Sequence, residues 1–394
     1  MQPYTLPWPT IFKGDEMSTT QSQSIYEELG VKRVVNAFGN LTLLGGSTLS
    51  PGVWAAMEEA NERFVSMEEL LKKSGEAVAQ ILGAEAALVT SGAFAALVLG
   101  AAAIITGKDA KKIARLPDTT GMKNEFLIQK RMRYHYDRSV TVPGPKLVEV
   151  GDEERTTAEQ MEAAIGPRTA GILYLARADG TEGVLPLSRV IGIARKKGVA
   201  VLVDAAAEVY PLERMTGLAG GKADLVCFGA KYFSSAHSTG ILCGRKELVE
   251  AAVLNNFIAY EAQDNHCIGR GYKVDRQEVV GTLVALREWF TMNHEERFRI
   301  QEERIGAIAN GLVGIPHVKT QRVWERNGPW MRLCVTLDEG PLGKTAASVG
   351  EALREGDPSI WVRVEGNQIH VAAHNLQEGE DRLVAGRLRQ LLTA

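Results

Sequence analysis

Short apolar runs alternate with segments of helical periodicity between about residues 65 and 260. The apolar runs have the length of buried strands, and the clearest of them are AALV, EFLIQ, KLVEV, GILYLA, VAVLVDA, DLVCFG and GILCG. RTTAEQMEAAIG and SRVIGIARKKG have helical spacing, and Gly198 follows two lysines, as is common at a helix C-terminus. The alternation predicts an α/β fold whose mostly parallel sheet is covered by helices.

After about residue 265 the pattern changes. A long helical stretch rich in Arg and Glu runs from Val274 to about Gly311, and the apolar runs WMRLCVTL and QIHVAAH precede a final helix from Glu378. This order predicts a smaller α+β domain. We therefore expect a flexible arm at 1–24, a large domain at 25–265 that includes the N-terminal segment, and a small C-terminal domain at 266–394.

The uncharged segment from Ala86 to Gly107 is long enough to span a bilayer. Its Thr-Ser-Gly break divides it into a strand at Ala87 to Val89 and a helix that begins near Gly92. Because the break leaves too short a continuous apolar span, a buried helix is favoured and no membrane partner is expected.

Composition narrows the class of protein further. The 45 basic and 48 acidic residues give a net charge of -3, which offers no basic surface for nucleic acid. The four cysteines are widely spaced without a C-x-x-C pair, which argues against a disulfide framework and a metal site. The N-terminus lacks the charged and apolar regions of a signal peptide. We therefore expect a cytoplasmic enzyme without a metal.

Three polar features follow predicted strands, where ligands collect in open parallel sheets. Residues 91–93 (Ser-Gly-Ala) begin a helix whose free N–H groups suit a phosphate, although Ser-Gly is also an ordinary helix cap. Asp204 ends an apolar run, where it either partners a ligand or caps the next helix. Lys231 follows an apolar run that predicts a buried strand, where desolvation lowers the pKa of an amine. Taken alone, such a residue is more often a structural or merely exposed lysine.

Together these features match the needs of pyridoxal phosphate. A lysine holds the aldehyde as a Schiff base, an acid keeps the pyridine nitrogen protonated, and a helix start binds the phosphate. The sequence lacks a strand-linked G-x-G-x-x-G, a G-x-x-x-x-G-K-[ST] loop, an H-E-x-x-H helix and a G-x-S-x-G elbow. A nicotinamide enzyme, a P-loop ATPase and a serine hydrolase are therefore disfavoured.

An ordered set of motifs resembles the selenocysteine synthase-like branch of fold-type I pyridoxal phosphate enzymes. The motifs are VVNAFGNLTLLGGSTLSPGV, VTSGAFAAL, VLVDAAAEVYP, FGAKYFSSAHSTGILCGRK and IGRGYKVDRQEVVG, and the likeness covers nearly all of residues 25 to 390. The branch includes L-seryl-tRNA(Sec) selenium transferases and D-glucosaminate-6-phosphate ammonia-lyases. The resemblance implies an aminotransferase-like large domain and active sites at the interface of a homodimer or higher homo-oligomer.

The resemblance also assigns roles to residues. It makes Lys231 the Schiff-base lysine and Asp204 the partner of the pyridine nitrogen. It implies further cofactor contacts near the phosphate, from Ser91, Gly92, Ala93, Ser238 and Thr239. It implies a substrate site formed by Asn36, Thr42, Arg133, Arg270 and Lys273. The arginines suit a carboxylate, which they grip in a bidentate manner, although Arg270 and Lys273 are equally consistent with a solvated helix start.

The chain departs from the family pattern at several positions. Met132 stands where relatives often carry a His that stacks on the pyridine ring, and His135 lies close by, so either residue is a candidate for that role. His237 adds a polar group beside a Ser-Ala pair that replaces Gly-Pro, and a sugar-phosphate substrate is not expected. His374 either approaches the substrate or, as favoured here, only begins a turn.

The resemblance implies an enzyme that removes the Cα proton of a small amino acid, with Lys231 as the base. β-Elimination is the leading outcome, as in the ammonia-lyase relatives. Racemisation and transfer of selenium or sulfur to seryl-tRNA remain as alternatives. The tRNA alternative is disfavoured by the slightly acidic composition.

Overall fold

The computed structural model describes residues 24–263, 265–324 and 330–394, so the predicted arm at 1–24 lies, apart from Ser24, outside the described residues. The strands are β1 (Val34–Asn36), β2 (Ala86–Thr90), β3 (Glu125–Gln129), β4 (Lys146–Val150), β5 (Thr169–Leu175), β6 (Ala200–Asp204), β7 (Leu225–Gly229), β8 (Gly240–Gly244), β9 (Val318–Trp324), β10 (Met331–Leu337), β11 (Ser359–Trp361), β12 (Arg363–Glu365) and β13 (Gln368–Ala372).

The α-helices are α1 (Ile25–Glu28), α2 (Pro51–Asn61), α3 (Met67–Leu82), α4 (Gly92–Thr106), α5 (Ala110–Arg115), α6 (Ala158–Ala164), α7 (Leu187–Lys197), α8 (Leu212–Ala219), α9 (Lys246–Leu254), α10 (Phe257–Ala262), α11 (Arg276–Thr291), α12 (His294–Gly311), α13 (Glu339–Leu342), α14 (Ala346–Glu355) and α15 (Glu380–Thr393).

The larger sheet has seven strands in the order β2-β8-β7-β6-β5-β3-β4. β8 runs antiparallel to both of its neighbours, and the other pairs are parallel. Each of the seven apolar runs predicted to form strands in this part of the chain does so. Six of them bury most of their residues, whereas β4, at the edge of the sheet, buries only Val150. The prediction of a mostly parallel α/β sheet covered by helices is confirmed.

Helix α4 accounts for the uncharged segment after β2. Residues on nearly all of its faces are buried, and Ser91 separates it from the strand. It therefore lies within the larger core, and no helix in the part of the chain that the structure describes is both long and apolar enough to cross a membrane.

A second, antiparallel sheet in the order β12-β13-β10-β9 forms a separate core with α12, α14 and α15. The C-terminal α+β pattern is thereby confirmed. β1 joins this second core, since it pairs in parallel with β11 and buries Val35 and Ala37 there. α11 instead packs in the first core. The domain boundaries at 25–265 and 266–394 stay predictions. β1, which precedes the boundary, lies in the second core, and α11, which follows it, lies in the first.

The helical stretch predicted from Val274 to about Gly311 is two helices rather than one. The backbone turns to an extended conformation at Met292 (ψ 153°), and Asn293 begins α12 by accepting a hydrogen bond from the Glu296 N–H at 3.1 Å. This N-terminal cap explains the break.

We expect Gly75→Ala in α3 to lower the free energy of unfolding by about 1–3 kcal/mol, because its Cβ would lie 2.3 Å from the backbone oxygen of Ala87. Gly192→Ala in α7 is the matched control, since no atom lies within 4 Å of the added methyl group. That control should raise stability by about 0.5–1 kcal/mol through helix propensity. Urea unfolding midpoints measure both, and equal shifts in the two variants would contradict the close packing of α3 on β2.

Candidate active site

The carboxyl ends of β2, β6 and β7 lie at one edge of the larger sheet. Asp204 is paired with Cys227 on the parallel strand β7, so β6 and β7 end side by side. β8 starts at Gly240, which is paired with Thr90 on one side and Gly229 on the other. The features that follow these strands therefore face a common space, as the rule for open parallel sheets predicts.

Lys231 lies in a turn of 3₁₀ helix, Ala230–Phe233, directly after β7. The Ala230 N–H donates to the Thr239 oxygen at 3.0 Å, which closes the loop between β7 and β8. The lysine side chain is half-buried, its Nζ donates to Thr42 Oγ1 at 3.1 Å and lies 5.2 Å from the centre of the Tyr232 ring. Burial lowers the pKa of this amine. The shift makes the neutral amine easier to form than in an exposed lysine.

Asp204 is buried at the end of β6. Tyr134 donates its hydroxyl to the carboxylate, and the Ala206 N–H donates at 3.0 Å. Cys227 Sγ lies 3.6 Å away. Burial raises the pKa of Asp204, and these hydrogen bonds oppose the shift. A cationic partner would stabilise this carboxylate more than its present neutral neighbours do.

Tyr134 is a site residue that no sequence motif singled out. Burial, followed by the Asp204 carboxylate, raises the pKa of its hydroxyl, so the group stays protonated and donates. Its backbone N–H donates to Asp137 at 3.1 Å, and Asp137 also accepts from Arg133 at 2.5 Å. Arg133 pairs in addition with Glu149. Two carboxylates therefore hold the arginine that was predicted to bind substrate.

The two candidates for the pyridine face lie on either side of Tyr134. Met132 is fully buried in the larger core, and His135 is exposed with its ring 5.1 Å from the Tyr136 ring. Their roles stay predictions. The only signal for Tyr134 in the sequence was its position between them.

The start of α4 has the properties of an anion site. Ser91 precedes the helix, and its Oγ is buried without a hydrogen-bond partner. The first N–H groups of a helix of this length attract negative charge. Gly240 lies so close that a Cβ there would be 2.6 Å from the Gly92 carbonyl carbon and 2.7 Å from the Ala93 nitrogen. The orphaned hydroxyl and the helix start fit a phosphate.

Ser238 and Thr239 lie beside this helix start, since the Ser238 oxygen is the nearest atom to a Cβ built on Gly92. Ser238 donates its hydroxyl to Glu278 at the start of α11. Thr239 is buried and donates to the Ala236 oxygen at 2.7 Å. Both hydroxyls thus have protein partners, and a phosphate contact would exchange those partners.

The structure brings Thr42 to Lys231 but gives Asn36 a local role. Asn36 Oδ1 accepts from the N–H groups of Phe38 and Gly39 at 3.1 and 3.0 Å, and its amide donates to the Gly39 oxygen at 3.0 Å. The side chain therefore closes the turn that leads toward Thr42.

The predicted substrate anchors of the GRGYK segment have different surroundings. Arg270 forms an ion pair with Glu261 at 2.6 Å and lies 5.9 Å from the centre of the Tyr260 ring. Lys273 is exposed. Neither residue has a contact with Lys231 in the part of the chain that the structure describes, so their substrate roles stay predictions.

His374 lies against Trp330, with the ring centres 5.3 Å apart. Both ring nitrogens are buried without partners, although the residue as a whole keeps some exposed surface. Burial, followed by Arg332 and Arg297, lowers the pKa of His374 to about 3. The ring borders a cavity of about 130 Å³ between the two cores, which Asn40, Tyr232 and Asn375 also line. Within the described ranges, no group of His, Cys, Asp or Glu side chains is placed to hold a metal ion.

Comparisons with known proteins identify the family to which this chain is similar. The profile of the family described as Aminotransferase class-V matches residues 56–257. A 5'-C-glycyluridine monooxygenase-decarboxylase from a Streptomyces species is 34% identical over 93% of this chain and 92% of the relative. A D-glucosaminate-6-phosphate ammonia lyase from Salmonella typhimurium is 31% identical over 93% of this chain and 98% of the relative.

The solved structure of a D-glucosaminate-6-phosphate ammonia-lyase matches with a TM-score of 0.82 at 29% identity, covering 95% of this chain and 99% of that one. An L-seryl-tRNA(Sec) selenium transferase from Moorella thermoacetica is 25% identical over 93% of this chain and 84% of the relative. Both kinds of enzyme named by the sequence resemblance are therefore relatives, and that resemblance is confirmed.

We expect Asp204→Asn to stabilise the cofactor-free protein at pH 8 and to have little effect near pH 4. Because the folded-state pKa of Asp204 is raised, the folded form binds the proton more tightly than the unfolded form, and stability falls as pH rises from about 4 through that pKa. The amide removes this loss. Thermal unfolding of both proteins across this pH range measures the effect, and parallel curves would contradict a costly buried charge.

Proposed function

The chain belongs to the class-V aminotransferase family of pyridoxal phosphate enzymes, and from this we propose that it uses that cofactor to break a bond at the Cα of a small amino acid. The observation that carries the proposal is the meeting of Lys231, Asp204 and the start of α4 at one edge of the sheet. Each of these three groups would gain a favourable partner from this cofactor.

The fit of the cofactor rests on residues of this chain. Asp204, whose charge is costly where it lies, would hold the protonated pyridine nitrogen. The orphaned Ser91 hydroxyl and the N–H groups of Gly92 and Ala93 would hold the phosphate. Lys231 would hold the aldehyde carbon. When bound, pyridoxal phosphate supplies an electron sink that makes bonds at the substrate Cα easy to break.

Lys231 is then the base of the reaction. Its Nζ takes the proton from the substrate Cα, and burial keeps the pKa of the amine closer to neutrality than that of an exposed lysine. Thr42 Oγ1, 3.1 Å from Nζ, holds the amine in place. Tyr134 steadies the Asp204 carboxylate by donating its hydroxyl. Thr42 would thus position the base, and Tyr134 would position the acid that holds the cofactor.

β-Elimination with release of ammonia is the outcome we favour, as the name of the ammonia lyase relative implies for that protein. Cleavage of the bond between Cα and the carboxylate is the second candidate. It is favoured by similarity to the monooxygenase-decarboxylase, which covers as much of the chain. The two reactions differ in which bond at Cα is broken.

A homodimer is part of the proposal. Large apolar side chains are exposed along α2 and its flanks, with Leu43 at 75%, Trp54 at 62% and Phe64 at 92%. Exposed apolar side chains of this size indicate an interaction surface. Enzymes of fold type I are typically dimeric, and this surface is continuous with the segment that contains Thr42.

We expect the purified protein to carry a visible absorption band that Lys231→Ala abolishes, because the lysine makes the covalent link to the cofactor. A screen of D- and L-amino acids then decides the reaction. Ammonia release without oxygen uptake supports elimination. Release of carbon dioxide with oxygen uptake supports the second candidate, and exchange of the Cα hydrogen with inversion supports racemisation. A colourless protein that fails to bind added pyridoxal phosphate would sink the proposal.

We expect Phe64→Glu to shift the protein from dimer toward monomer. A carboxylate that replaces a nearly fully exposed aromatic ring disturbs an interface and not the fold. Val313→Glu is the control, because Val313 is also exposed, at 69%, but lies after α12. Light scattering measures the molar mass. A monomeric wild-type protein, or equal masses for all three proteins, would contradict the interface.

A further inference from the structure

His237 lies in the loop between β7 and β8, six positions after Lys231. Its ring is packed against Gly46, which belongs to the segment that also supplies Thr42. A Cβ built on Gly46 would lie 2.6 Å from His237 Nδ1 and 3.2 Å from Cγ. The ring therefore occupies the space that a side chain at position 46 would need.

This contact leaves the two ring nitrogens in different environments. Nδ1 is buried and has no hydrogen-bond partner. An N–H at that position would be an unsatisfied buried donor, which is rarer in folded proteins than an under-satisfied acceptor. This environment favours the neutral tautomer whose proton is on Nε2, the ring nitrogen that is not among the atoms nearest to Gly46.

The surroundings of the ring disfavour its protonated form. Burial, followed by the Lys231 ammonium, lowers the pKa of His237. The groups that its loop and the segment of Gly46 place nearby are uncharged, as with Ser47, whose hydroxyl lies 3.5 Å from the Ser235 oxygen. Glu278, the acid next to this loop, accepts a hydrogen bond from Ser238. Lys231 is therefore the one charged group that acts on the pKa of His237 among the influences that the described residues provide.

We propose that His237 uses Nε2–H as a fixed, uncharged hydrogen-bond donor to a carboxylate oxygen of the amino acid that binds beside Lys231. This inference rests on the proposed function and adds a residue that sets substrate affinity. A carboxylate is the acceptor that suits this donor best, because an anionic oxygen accepts a stronger hydrogen bond from an N–H group than a neutral oxygen does. The contact with Gly46 restricts the position of the imidazole ring.

Substitution of His237 by Gln or Asn distinguishes a hydrogen-bond donor role from a packing role. The Gln amide nitrogen lies near the position of Nε2, whereas the Asn amide nitrogen lies near that of Nδ1, which faces Gly46. We expect His237→Ala and His237→Asn to weaken amino-acid binding by about 10- to 100-fold, and His237→Gln to stay within about threefold of the wild type. Binding is measured by titrating the visible band with amino acid, and the cofactor content should be equal in all variants.

A glycine pair supplies the matched control. Gly46→Ala forces the imidazole away and should weaken amino-acid binding as His237→Ala does. Gly45→Ala has a similar positive φ (78° against 85° for Gly46), but no atom lies within 4 Å of its added methyl group, so it reports backbone strain alone. Equal affinities in the two glycine variants, or a loss in His237→Gln as large as in His237→Ala, would overturn the donor role.

The tautomer is measured independently of any activity. Nitrogen NMR of histidine-labelled protein, with His237→Gln for assignment, should show the proton on Nε2 in the cofactor-free state. A proton on Nδ1 would overturn the inference even in a working enzyme. Because this measurement needs neither cofactor nor substrate, it decides the geometry separately from the proposed function.

Discussion

The arrangement of the site depends on one close backbone approach, that of Gly240 to the start of α4. Gly240 lies between Thr90 and Gly229 in the sheet, and any Cβ there would collide with Gly92 and Ala93. Because β8 is antiparallel, it begins where β2 and β7 end. The loop that carries Lys231 is thereby held against the helix that carries the free N–H groups.

This approach brings together polar groups that the chain alone stabilises only in part. Asp204 is buried with neutral donors for partners, and burial lowers the pKa of the Lys231 amine and leaves the Ser91 hydroxyl orphaned. Each of these features is unfavourable to the chain alone. A ligand that carries a cationic N–H for the acid, an aldehyde for the amine and an anion for the helix would make all three favourable. The features that favour ligand binding therefore lower the stability of the ligand-free protein.

The sequence predicted those parts of the fold that follow from local pattern. The strands that end at Asp204 and Gly229 are apolar runs bounded by turns, and their order placed the acid and the lysine at one edge. The break at Asn293 had a readable signal, since Asn followed by Glu three positions later is a helix start. β1 could not be placed in the second core, because its pairing with β11 joins opposite ends of the chain.

The same reasoning explains why the side chains around the cofactor space were harder to predict than the scaffold. Tyr134 reaches Asp204 from an irregular loop, where no periodicity indicates direction. His237 owes its position to Gly46, a residue from the segment that crosses into the second core. Substrate contacts thus come from loops that meet only after both cores have formed, whereas the catalytic lysine follows from one strand. Relatives with this scaffold can therefore keep the lysine and the acid while changing the reaction, and the name of the fold leaves the substrate open.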